Sequence, residues 1–151
     1  MQKQLALLTL LIPLSLLADT VSIASNNAYG QRHAGAYFFT YVGNVKVHSP
    51  LIGNLTATRL TAHISPAEPN GCDYLLARHV TIHHKTYILT CDNALFRPRT
   101  QRLAAWGNVT CRRTDAPAPF NTITSNADNA VLDCSSNQLY LSHGTHTHIT
   151  A

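Results

Sequence analysis

The sequence predicts an all-β domain of stacked repeats, with no substantial helix after residue 18. Three observations carry this expectation. Apolar and polar residues alternate at period two: Val45 and Val47 against Asn44 and Lys46, Val80 and Ile82 against Thr81 and His83, Leu139 and Leu141 against Tyr140 and Ser142. A short polar-then-small pattern recurs at Ser25-Asn26-Asn27-Ala28, Thr58-Arg59-Leu60, Asp92-Asn93-Ala94-Leu95 and Asp128-Asn129-Ala130-Val131. With Asn27, Arg59, Asn93 and Asn129 taken as equivalent, the steps are 32, 34 and 36 residues. A period of this size marks one supersecondary unit that buries its apolar face only by stacking on its neighbours. Turn-forming residues punctuate the array at Ser49-Pro50, Pro66 to Gly71, Pro98, Ala116 to Pro119 and Ser135-Ser136-Asn137.

Taken in order, residues 1–18 read as a secretory signal peptide. Lys3 supplies the positive start, and Leu5 to Ala18 is a 14-residue uncharged apolar run. A bilayer-spanning helix needs roughly 20 residues. Cleavage after Ala18 competes with cleavage after Ala24; the second removes Val21 to Ala24, the opening of the first repeat, so the mature domain is placed at residues 19–151. Strands are expected over Val42–Val47, His79–Ile82, Trp106–Cys111 and His146–Ile149, because branched and aromatic residues suit a pleated surface. The Pro66–Gly71 and Asp115–Pro119 stretches read as loops within one array. Ten or more short strands are expected, closing their apolar faces on each other and leaving an open edge at each end, which suits docking of another β-edge.

Export makes the cysteines informative. Cys72, Cys91, Cys111 and Cys134 are four in number, with spacings of 19, 20 and 23 residues and no C-x-x-C pair. In an oxidising compartment two disulfides are expected, of unassigned connectivity, in preference to a zinc site. The formal charge is +4, with 12% charged residues. This mild basic excess suits an anionic ligand, but no basic cluster with interleaved aromatics supports nucleic-acid binding.

Catalytic patterns are not indicated. His83-His84 and His143-x-x-His146-x-His148 offer imidazoles at ligand-like spacing, yet Glu68 is the sole glutamate and the local carboxylate a metal oxygenase wants is missing. Surface histidines are the expected reading, with a pH-sensitive end contact as their alternative use. No Gly-x-Ser-x-Gly elbow is present. Asp92 and Asp128 occupy equivalent repeat positions and read as corner residues bonded to their own backbone. No enzyme, cofactor or metal is expected.

Two segments resemble the OstA-like family of periplasmic lipopolysaccharide-transport proteins, the LptA type. They are Tyr41-Val42-Gly43-Asn44-Val45-Lys46-Val47 and Gly53-Asn54-Leu55-Thr56-Ala57-Thr58-Arg59-Leu60-Thr61-Ala62-His63. Val21 to Ala28 is similar to that family's opening strand, and Trp106-Gly107-Asn108-Val109 repeats the Gly-Asn-Val element. The resemblance implies a folded-over β-jelly roll over residues 19–151, in the periplasm, whose apolar trough carries the acyl chains of lipopolysaccharide (lipid A). It also implies edge-to-edge self-association and partners in the inner-membrane and outer-membrane transport components. Val45, Val47, Leu55, Val80, Ile82, Val109, Ile123, Leu139 and Leu141 would line the trough. The same residue types build an ordinary packed core, and sequence does not separate the two. Four cysteines, the Asp115–Pro119 insertion and Thr58-Arg59 depart from the family pattern. An exported, disulfide-bonded β-sandwich interaction module without lipid is the alternative reading.

Overall fold

The structure, a computed structural model, describes residues 12–14, 19–67, 72–115 and 122–150. Its strands are β1 (Ile12–Leu14), β2 (Asp19–Ala24), β3 (Asn27–His33), β4 (Ala36–Ser49), β5 (Gly53–Ile64), β6 (Cys72–His84), β7 (Tyr87–Arg97), β8 (Arg102–Arg113), β9 (Thr122–Asp133), β10 (Gln138–Ser142) and β11 (His146–Thr150). All pairings are antiparallel, and β4 to β9 follow one another as a meander. The expected leader falls largely outside the described residues; only Ile12–Leu14 of it is described, paired with Asp19–Val21. The Pro66–Gly71 and Asp115–Pro119 loops are described only to Ala67 and Asp115.

The expected ten or more strands are present, eleven among the described residues, but six are longer than expected: β4 to β9 have 11 to 14 residues each. Points that read as strand ends are bulges at which a continuous strand bends. Pairing slips between Val42 and Val45, between Thr90 and Asn93, and between Trp106 and Val109. Left-handed backbone sits on this line at Gly43-Asn44, His79, Gly107-Asn108 and His143-Gly144. A bulge adds a residue to one strand and kinks it. Aligned across the sheet, these kinks form a crease that folds one sheet into two leaves.

Leaf A holds β2, β11 and residues 45–49, 53–57, 80–84, 87–91, 109–113 and 122–126. Leaf B holds β3, β10 and residues 36–42, 59–64, 72–78, 93–97, 102–106 and 129–133. The repeat in the sequence is this crease seen edge-on. Asn27, Arg59, Asn93 and Asn129 lie on one rung, linked through Val42, Arg78 and Trp106, one hairpin apart at each step.

Side chains hold the crease from one strand to the next. Asn108 Nδ2 donates to Asp92 Oδ2 at 2.9 Å, and Thr58 Oγ1 donates to the Arg78 carbonyl at 3.2 Å. The Asp128 amide donates to the His143 carbonyl at 2.9 Å. Asp92 and Asp128 both lie at the crease; the Asp92 carboxylate accepts from the neighbouring strand instead of from its own backbone, and at Asp128 the crossing bond is made by the backbone amide. The reason is geometric: the kinked partner strand presents its side chain and carbonyl directly opposite.

Between the leaves lies a single apolar core. On leaf B the rung beside the crease carries Ala77, Ala94, Ala105 and Ala130, and the next rung outward carries Leu75, Phe96, Leu103 and Leu132. Small residues fit where two leaves converge and large ones fill the widening gap, as close packing requires. Each fully buried large aliphatic or aromatic side chain contributes roughly 1.5–3 kcal/mol.

Candidate functional site

Leaf A contributes a continuous inner rung: Ile23, Val47, Leu55, Ile82, Leu89, Cys111, Ser125 and Thr147. Alternation along each strand sends these side chains inward and leaves Lys46, Thr56, Thr81 and Thr110 outside. The rung is fully buried from Ile23 to Cys111 and then opens, with Ser125 half-buried and Thr147 exposed. Their hydroxyls bond each other at 3.0 Å. At this same end Ile123, Leu139 and Leu141 are only partly buried, and inward-facing Ile149 is 54% exposed. The apolar interior is thus closed through the body of the protein and accessible at the β10–β11 end.

Of the nine residues expected to line a trough, Val45, Val47, Leu55, Val80, Ile82 and Val109 are each at most 3% exposed. They lie together on the inner face of leaf A. Ile123 joins them at the open end of that leaf, whereas Leu139 and Leu141 face them from β10 of leaf B. Sequence reasoning missed most of leaf B: Tyr41, Leu60, Leu75, Phe96, Leu103 and Leu132 form the opposite wall. The alternation in Leu60-Thr61-Ala62 and Leu103-Ala104-Ala105 carried the signal, diluted by alanines on both faces.

The lips of the two leaves meet opposite the crease. Asn137, in the turn before β10, donates through Nδ2 to Thr86 Oγ1 at 3.3 Å, and Thr86 in turn accepts through its carbonyl from the Thr114 amide at 2.8 Å. Cations stand on both lips: Lys85 and Arg113 on leaf A, Arg97, Arg99 and Arg102 on leaf B. Arg113 forms a two-bond fork with Asp115 at 3.0 and 3.1 Å, which raises the guanidinium and lowers the carboxyl from their usual values. Within this lip His84 is buried, with Nδ1 2.9 Å from the Ile52 carbonyl and Nε2 without a partner. Burial first, with Lys85 adding to it, holds its imidazole below the usual value.

The expected disulfides are not formed; all four cysteines are free, buried thiols. In the strand register Cys72 stands opposite Ile64, Cys91 opposite Val80 and Cys111 opposite Leu89, so no two of these three are cross-strand partners. Burial pushes the Cys72 thiol up to about 12, and those of Cys91, Cys111 and Cys134 up to about 11. Such thiols are poor nucleophiles and poor metal ligands.

Five of the nine histidines are engaged locally. His83 and His84 point to opposite faces, as neighbours on a strand must. His63 bonds Asp73 at 3.2 Å and rests between the rings of Phe38 and Tyr74. His143 bonds Asn129, and His48 bonds Asn54. Among the described residues no three histidine, cysteine or acidic side chains gather to hold a metal ion.

No protein-family model matches the sequence, and no curated protein matches it. Among solved structures the chain is similar to LptH, the LptA-homologous periplasmic component of the lipopolysaccharide transport device of Pseudomonas aeruginosa. The TM-score is 0.67 over 87% of this chain and 95% of that one, at 10% identity. The all-β jelly roll of the LptA type, expected from the Gly-Asn-Val segments, is the fold this chain adopts.

Proposed function

We propose that this protein is a non-enzymatic periplasmic carrier of lipopolysaccharide, holding the acyl chains of lipid A between its two leaves. The observation that supports this most is the apolar interior running the length of leaf A and reaching solvent at Ile123, Leu139, Leu141 and Ile149. A self-contained core has no need of an inward-facing isoleucine left mostly exposed at its end. The resting interior is filled by its own side chains, so acyl chains enter at the β10–β11 end and spread the leaves from there. Cations on both lips suit the phosphates of an anionic head group. On this reading Val45, Val47, Leu55, Val80, Ile82 and Val109 line the path once the leaves part.

Assembly follows from the edges. Among the described residues β10 and β11 each pair only with β9, and β3 pairs only with β4. These unpaired backbone edges suit strand addition by a second copy, and by membrane-anchored transport components at either end. Loss of a leader at Ala18 would also bare β2. Cleavage after Ala24 would instead take Val21 and Ile23 out of the core, so Ala18 fits better. The alternative of a disulfide-bonded interaction module loses its premise with the thiols free.

The test is displacement of a fluorescent acyl-chain probe by lipid A, in the unmodified protein and in Ile149→Asp. Ile149 is exposed enough for the variant to fold. The expected result is saturable displacement in the first and at least fivefold weaker probe binding in the second, about 1 kcal/mol or more. Equal binding by folded Ile149→Asp would remove the β10–β11 end as the entrance.

A further inference from the structure

The outward faces of the two leaves differ in kind. On leaf A the outer rung reads Lys46, Thr56, Thr81, Thr90, Thr110 and Asn126, a polar ladder. On leaf B the corresponding rung reads Thr61, Leu76, Leu95, Ala104, Val131 and Tyr140. Trp106 stands one rung closer to the crease, beside Asn129. Trp106 is 37%, Val131 38% and Tyr140 60% exposed. These form one apolar patch at the C-terminal end of the leaf.

Arginines border the patch on both sides. Arg59 and Arg78 share the rung of Trp106, and Arg97 and Arg102 pair with each other on the rung beyond Leu95 and Ala104. Of the 11 lysines and arginines in the chain, six lie on leaf B or its turns, and all six are arginine: Arg32, Arg59, Arg78, Arg97, Arg99 and Arg102. The acidic side chains of this leaf and its crease among the described residues are Asp73, Asp92, Asp128 and Asp133, four against the six arginines. Asp73 and Asp133 approach Arg97 and Arg102 at 3.9 Å, and the face keeps a positive excess.

We infer that the outer face of leaf B docks on the surface of an anionic phospholipid bilayer, with Trp106, Val131 and Tyr140 entering the interface and the flanking arginines on the phosphates. Charge and size both select this occupant. Guanidinium forks match phosphodiester oxygens and tolerate burial better than ammonium groups do. Trp and Tyr each present an apolar body and a polar tip, which suits the head-group layer. The three exposed side chains together offer roughly 300 Å², well short of the ~800 Å² per partner that a stable protein interface buries. A small apolar insertion combined with several cations is the pattern of reversible interfacial binding. The surface lies outside the leaves, so it is independent of any cargo held between them.

Trp106 is the only tryptophan of the chain, which makes the unmodified protein its own reporter. Its emission is recorded with vesicles of phosphatidylcholine alone and with 30 mol% phosphatidylglycerol, some carrying brominated acyl chains. The expected result is binding to the anionic vesicles only, with a blue shift, quenching by bromine, and release by high salt. Arg78→Glu should weaken partitioning roughly five- to tenfold, and Tyr140→Asp should remove the quenching; circular dichroism checks both folds, and the unmodified chain decides if either fails. Absence of binding, or binding with Trp106 emission unchanged, overturns the proposal. A shift produced by added exported proteins and not by vesicles overturns it in favour of a protein partner.

Discussion

Gly107→Ala probes the crease, on which the two-leaf architecture depends. Gly107 has φ +79°, and a Cβ placed there lies 2.8 Å from both Cβ and Oδ2 of Asp92. Left-handed backbone costs an alanine about 1–2 kcal/mol. Reduced freedom of the unfolded chain returns about 0.4–1 kcal/mol. Asp92 must also swing away, giving up its 2.9 Å bond from Asn108, and a bond to a charged acceptor contributes about 1.5–3 kcal/mol. The exposed setting of this bond favours the lower figure, so a net loss of about 2–3 kcal/mol is expected. Gly35→Ala is the control: its φ is +81° and nothing lies within 4 Å of the added methyl. It should lose at most about 1.6 kcal/mol. Urea unfolding of both variants, with and without Asp92→Gly, which removes the Cβ as well as the carboxylate, reads the difference. Gly107→Ala should cost no more than Gly35→Ala once Asp92 is gone. Equal losses for the two variants in the otherwise unmodified chain would refute the role given to Asp92.

Other outcomes follow from the core and its titratable groups. Ile82→Ala, at a fully buried position, should cost about 2–5 kcal/mol in urea unfolding; a loss below ~1 kcal/mol would mean the leaves collapse to refill the space. Ellman's reagent should find four thiols per chain in denaturant and react slowly with the native protein. Fewer than four would restore a disulfide. His84 is held below its usual value of 6.5 in the folded protein, so between the two values the unfolded chain binds more protons. Stability should therefore fall as pH drops below about 6.5 and rise again toward neutrality. His84→Gln should flatten that slope, and an unchanged slope would assign it to other groups. Asp115 and Asp133 are held low by Arg113 and Ser135 respectively, so their contributions are present at neutral pH and fade only at the acid end of the range.

Much of the fold was legible because its period is carried by backbone demands that few residues satisfy. Asn27, Arg59, Asn93 and Asn129 sit one step past the crease on every second long strand, and Gly43-Asn44 and Gly107-Asn108 supply left-handed backbone on the strands between. Pro98 falls in the turn between β7 and β8, and Ser135-Ser136-Asn137 in the turn between β9 and β10. Strand length was misread because the runs were begun at Val42, His79 and Trp106, where a continuous strand bends at the crease and does not end. Half of the interior was misread because Ala62, Ala77, Ala94 and Ala105 say little about facing until the register is known. The cysteines were misassigned since their even number and the leader suggested pairing, whereas pairing depends on which strands become neighbours. Filled core and open trough share one residue vocabulary, so only the exposure gradient from Ile82 to Ile149 distinguishes the two ends of the interior.

Native mass spectrometry of the protein purified from the periplasm, with organic extraction of whatever travels with it, tests the carrier reading most directly. Lipid A-bearing species bound to the chain, on monomers or on a ladder of oligomers, are the expected result. A lipid-free chain that also takes up no lipid A when the two are mixed would contradict it, leaving a shared fold without the shared cargo.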